Sequence, residues 1–154
     1  MRKIVICAMC NVLFALVLVP LAGAGKPTRE FIPASDFTIS GSCAFDVGVH
    51  VVGNKEYGIT FSDGATLVTG ALKVQLTNLA DQSKSIGLNI PGPGLFTATA
   101  GGGLRIDARG PWLVFAPGML LYVTGHTTLG TSPTGEFSVE QRGGTSTNLC
   151  SGLA

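Results

Sequence analysis

Charge is what this sequence has least of. Asp, Glu, Lys and Arg make up 12% of its 154 residues, against about 25% in an ordinary globular domain. No basic run or basic face compensates, which argues against nucleic acid and against electrostatic binding to anionic membranes. Histidine is nearly missing: His50 and His126 are the only two, which excludes a three-histidine metal site. Carboxylates are scattered singly, so the Asp-x-Asp pattern of a calcium loop is absent. Glycosidase-like pairs of acids could arise only across strands.

Catalytic signatures are missing as well. The nearest string to a hydrolase elbow is Gly130-Thr131-Ser132-Pro133-Thr134-Gly135, with its second glycine one place late and no helix to follow. Gly92, Gly94 and Gly101 to Gly103 read as turn glycines, because a phosphate loop must lead into a helix N-terminus. No Asn-x-Ser/Thr sequon occurs. No cofactor or metal is expected, and the balance leans away from an enzyme.

What is present starts at the N-terminus. Arg2 and Lys3 precede an apolar run from Ile4 to Val19, interrupted only by Asn11; Pro20 and the small-x-small string Ala22-Gly23-Ala24 follow. This reads as a secretory signal peptide over residues 1–24, cleaved after Ala24, and not as a membrane span. An uncleaved anchor is the alternative, but no stop-transfer cluster of charges follows. Cys7 and Cys10 have the spacing of a thioredoxin-type pair. They sit in the segment to be discarded, where no folded turn could activate a thiol. The mature chain should therefore be extracellular, with no lipid anchor and no integral membrane span.

Residues 25–154 have the usual size of one domain. They carry eight Lys and Arg against nine Asp and Glu, a net charge of about −1. Only Cys43 and Cys150 survive cleavage. In an oxidising compartment two cysteines usually pair, so a Cys43–Cys150 disulfide is expected; two separately buried thiols are the alternative.

Residues 25–36 (GKPTREFIPASD) show little pattern and read as a flexible leader. Over residues 37–154 the apolar period is two. Phe45, Val47, Val49 and Val51 alternate with Asp46, Gly48 and His50; Leu72, Val74 and Leu76 alternate with Lys73 and Gln75; Leu104, Ile106 and Ala108 alternate with Arg105 and Asp107. Successive strand side chains point to opposite faces, so each run buries one face and wets the other. Turn signals such as Gly53-Asn54, Asp63-Gly64 and Pro117-Gly118 punctuate the runs. The expectation is a single all-β domain, an antiparallel β-sandwich or small closed β-barrel of about eight to ten strands.

One segment breaks the alternation: Pro111 to Val123 is apolar on both parities. It reads as a central strand pair buried on both faces, or as a strand crossing a sandwich edge. The sharper reading makes Trp112, Phe115, Met119 and Tyr122 an aromatic patch or pocket mouth for a lipophilic ligand or a partner. Scarce large side chains are normally spent on the core, which favours the first reading. His50 lies about 13 Å along its strand from Asp46, so any acid beside it must come from a neighbouring strand. His126 could meet Asp107 or Asp63. Both read as surface histidines.

The cysteine-bearing Cys43-Ala-Phe-Asp-Val, the central Gly110-Pro-Trp-Leu-Val-Phe with Tyr122-Val-Thr-Gly125-His, and the ending Thr147-Asn-Leu-Cys150-Ser-Gly-Leu resemble small secreted β-rich proteins of high-GC Gram-positive bacteria. Those often end in Asp-Leu-Cys-x-x-Leu; Asn148 stands here in place of the acid. The resemblance implies that Cys43 and Cys150 belong together and imports no activity. Three functions compete: a non-enzymatic extracellular module binding a partner, a glycan or another cell-envelope component; a carrier of a small lipophilic molecule; and, last, a hydrolase with an unfamiliar site.

Overall fold

A computed structural model describes residues 25–154, so the expected signal segment, with Cys7 and Cys10, lies outside the described residues. The described chain is nearly all β and forms three antiparallel sheets. The long sheet runs, in spatial order, β1 (Thr28–Phe31), β4 (Tyr57–Thr60), β5 (Thr66–Thr69), β8 (Gly94–Ala98), β9 (Leu104–Arg109), β12 (His126–Thr131) and β13 (Phe137–Gly143). A second sheet holds β2 (Phe37–Ile39), β3 (Val47–Asn54), β6 (Leu72–Asn78) and β7 (Ser85–Ile90). The third is β10 (Trp112–Ala116), β11 (Met119–Val123) and β14 (Ser146–Asn148), followed by one helical turn, α1 (Cys150–Leu153).

The small third sheet is the middle layer. Leu120 is fully buried against Val47, Val49, Val74 and Leu76 of the four-stranded sheet, and Leu113 and Tyr122 pack on the same cluster. The intervening residues Val114, Leu121 and Val123 pack the other way, against Ile106, Leu129 and Val139 of the long sheet. This explains why Pro111–Val123 is apolar on both parities: each face of the β10–β11 hairpin packs against a neighbouring sheet, with Phe115 left exposed. The central-pair reading of that segment is therefore the observed one.

The structure is a layered sandwich, and no sheet closes into a barrel: each strand order runs between two open ends. Fourteen strands form among the described residues, more than the eight to ten expected. The surplus is in pieces such as β2 and β14, three residues each, too short to register as a period. A second departure concerns residues 25–36. They contain β1, which pairs with β4 from Thr28↔Thr60 to Phe31↔Tyr57, so this stretch is not wholly an unstructured leader. The reason is in the side chains: the Phe31 ring meets Tyr57 edge-on at 5.7 Å, and the Arg29 guanidinium lies 4.1 Å over the Tyr57 ring.

Cys43 and Cys150 stand at disulfide distance, with Cα atoms 5.5 Å apart and a sequence separation of 107. The clasp seats α1 on the four-stranded sheet. Leu149 and Leu153 are buried in its core cluster, and Asn78 Nδ2 donates to Leu153 O at 2.9 Å. Among the described residues, no helix is long and apolar enough to cross a membrane.

Candidate ligand cleft

The middle layer has three strands and the long sheet beside it has seven. Beyond β10 the inner face of β5 and β8 is therefore left without the hairpin that covers β9, β12 and β13. An apolar cleft of about 300 Å³ opens there. One wall is Val68 of β5 and Phe96 of β8; the other is Phe37, Val49, Leu72 and Val74 of the four-stranded sheet. Trp112, Leu113 and Phe115 of β10 close the end.

Trp112 owes its position to two glycines. Its indole lies directly on the backbone of Gly92 and Gly94, where a Cβ at either position would overlap ring atoms. Phe96 flanks the indole with centroids 6.1 Å apart. Indole Nε1 is buried and has no hydrogen-bond partner among the described residues. At the mouth, Phe115 and Phe37 face one another at 6.0 Å, and both are exposed. One carboxylate, Glu56, interrupts this apolar lining. Burial raises its pKa, because an apolar wall solvates the anion poorly.

Of the four patch residues expected from the sequence, the structure brings Trp112 and Phe115 into the cleft and sends the other two elsewhere. Met119 packs toward the long sheet with Val114 and Val123. Tyr122 packs on the opposite cluster, and its hydroxyl donates to Asn89 O at 3.2 Å. The four do not form one patch, since neighbouring parities face different layers. Glu56, Phe37 and Phe96 carried no sequence signal, because they come from three separate segments.

The histidines form two other polar arrangements. His50 Nδ1 meets Asp36 Oδ2 at 2.6 Å, and Asp36 Oδ1 accepts from the Val51 amide at 2.7 Å. That amide bond first, then His50, lowers the Asp36 pKa. On the outer face of the long sheet, Asp107 accepts two bonds from the Arg105 guanidinium and one from Thr128 Oγ1. Chiefly through Arg105, its pKa falls to about 2. His126 Nε2 stands 3.7 Å from the same carboxylate. A nucleophilic relay needs the order hydroxyl, histidine, acid. Here the hydroxyl and the histidine converge on one acid, an arrangement that steadies a carboxylate and activates no nucleophile. Among the described residues no three His, Cys, Asp or Glu side chains converge as a metal site.

No family model, no curated protein and no solved structure matches the chain.

Proposed function

We propose that the protein is an exported, non-enzymatic binding module whose ligand enters the cleft between the long and four-stranded sheets with an apolar group. The observation that carries this reading is the lining itself: four aromatic rings and a set of aliphatic side chains around about 300 Å³, with Glu56 as the one ionisable group. Export rests on the N-terminal sequence, with Arg2, Lys3, the apolar run and Ala22-Gly23-Ala24. A glycan fits less well, because sugars need polar side chains converging from several sides, and Glu56 is the only charged side chain on these walls.

Trp112 is the only tryptophan and stands on the cleft wall, so its emission reports occupancy. Titration with the neutral apolar dye Nile red should change that emission and saturate at one dye per chain. Phe115→Ala, at an exposed rim position, should weaken binding roughly tenfold, or about 1.4 kcal/mol. A response that never saturates, or one indifferent to Phe115, would sink the proposal. A second reading, a carrier of a small lipophilic molecule, is favoured by a volume at the lower end of the small-molecule range of roughly 300–1,000 Å³. Mass spectrometry of gently extracted protein should then find a lipid at near-stoichiometric amount.

A further inference from the structure

The strand at the end of the cleft is an open edge. β10 pairs with β11 on one side and with no other strand among the described residues. The direction of its free backbone groups follows from its neighbours. Leu120 O accepts from Leu149 N, on the side of β11 away from β10. Leu120 lies opposite Phe115, so Phe115↔Leu120 is a pair without mutual hydrogen bonds, and by alternation so is Leu113↔Tyr122. The N–H and C=O of Leu113 and Phe115 therefore point outward from the sheet. Pro111, of the same parity, already uses that side: its C=O accepts from Gly92 N at 3.2 Å.

This edge faces the cleft. Trp112 and Leu113 leave opposite faces of the strand, yet both line the one cavity. A strand does that only when its edge is turned toward the cavity. The cleft thus holds two donors and two acceptors in strand spacing at one end and apolar walls on both sides. Glu56 adds a carboxylate to which no hydrogen bond or ion pair is made by the described residues.

We propose that the cleft takes an extended polypeptide segment that adds as a further strand of the middle layer along the edge of β10, with apolar side chains against the sheets and a Lys or Arg beside Glu56. The proposal rests on the cleft being the ligand site. It goes further by naming the ligand: strand addition uses main-chain groups for affinity and side-chain pockets for choice. The unpaired carboxylate gives the choice its sign, since a cation brought beside it offsets the cost of its burial.

The probes are capped octapeptides alternating Val and Thr, with Lys placed in turn at each Thr, one version without Lys, and copies N-methylated on alternate residues. Binding to the purified protein is read by Trp112 emission and by amide hydrogen exchange. Saturable binding should slow exchange at Leu113 and Phe115. Methylation on one parity should cost tenfold or more in affinity, while the other parity stays within about twofold. The best Lys peptide should bind about fivefold tighter than the Lys-free one, and Glu56→Gln should erase that difference. Phe115→Pro, which also deletes an outward amide, should bind peptide about tenfold more weakly than Phe115→Ala, with Nile red binding alike in both. Peptide binding that leaves Leu113 and Phe115 exchange unchanged, or ignores methylation parity, overturns the proposal. Saturable dye binding with no peptide binding overturns strand addition and leaves the cleft reading standing; loss of both ends both. A dimeric protein with these two amides protected before any peptide is added would give the edge to a second copy of the chain and overturn the peptide assignment.

Discussion

Asp107 and Glu56 carry the same functional group and behave oppositely, because their surroundings differ. Asp107 is held ionised by Arg105 and Thr128, with its pKa down from 3.8 to about 2. Stability from a depressed carboxylate is present above its unfolded value and lost as pH falls through the folded one. Asp107→Asn should therefore be less stable than the parent at neutral pH, and thermal unfolding should show that gap closing between about pH 4 and pH 2. For Glu56 the sign reverses. Its pKa is raised from 4.5 by burial, so the cost of the anion is absent in acid and grows as pH rises above that ordinary value. Glu56→Gln should match the parent in acid and exceed it at neutral pH; a variant less stable at neutral pH would mean that the carboxylate has a partner. Gly94 is the third informative position. A methyl there collides with the Trp112 ring, so Gly94→Ala should cost about 1–3 kcal/mol by overpacking and shift the indole emission to the red. Of the three, only Asp107 was legible in the sequence, as one of two acids that His126 could meet, and His126 stands 3.7 Å from it. Glu56 and the contact of Gly94 with Trp112 were not, because their surroundings come from distant segments of the chain.

At the scale of elements, the β10–β11 hairpin decides the architecture. A strand wetted on one face needs alternation; a strand between two layers needs apolar residues at every position. Leu120 shows no exposure and touches the cluster shared with the four-stranded sheet. Leu120→Ala should therefore cost about 2–5 kcal/mol in denaturant unfolding. A loss below about 1 kcal/mol would mean that the two sheets are not packed through this residue. Most of the longer strands were legible. β3, β6 and β9 fall where the alternation puts them, because the period-two pattern is a local property of backbone geometry. The short strands were not. β2 and β14 contain three residues each and exist because a neighbour offers a ladder: β2 lies along β3, and β14 along β11. β1 likewise exists through its pairing with β4 and the contacts of Arg29 and Phe31 with Tyr57, which no reading of residues 25–36 alone contains.

For the whole molecule, the Cys43–Cys150 pair spans most of the described chain and ties α1 to the loop before β3. In the chain-entropy account, closing a loop of about 100 residues stabilises the fold by about 4–5 kcal/mol. Cys43→Ser with Cys150→Ser should lower stability by up to that amount. Purified protein beginning at Gly25 should show no titratable thiol when denatured without reductant; two thiols would remove the clasp. The sequence by itself determined the all-β class, the positions of the longer strands and which two cysteines lie beyond the N-terminal apolar segment, since these follow from local periodicity and from counting. Tertiary structure alone decided that there are three layers and no closed barrel. It also decided that Trp112 and Phe115 part company with Met119 and Tyr122, and that the first two meet Phe37, Glu56 and Phe96 at the edge of β10. Those outcomes depend on which sheet covers which face, and on a middle layer narrower than its neighbour, which no local stretch of the chain encodes.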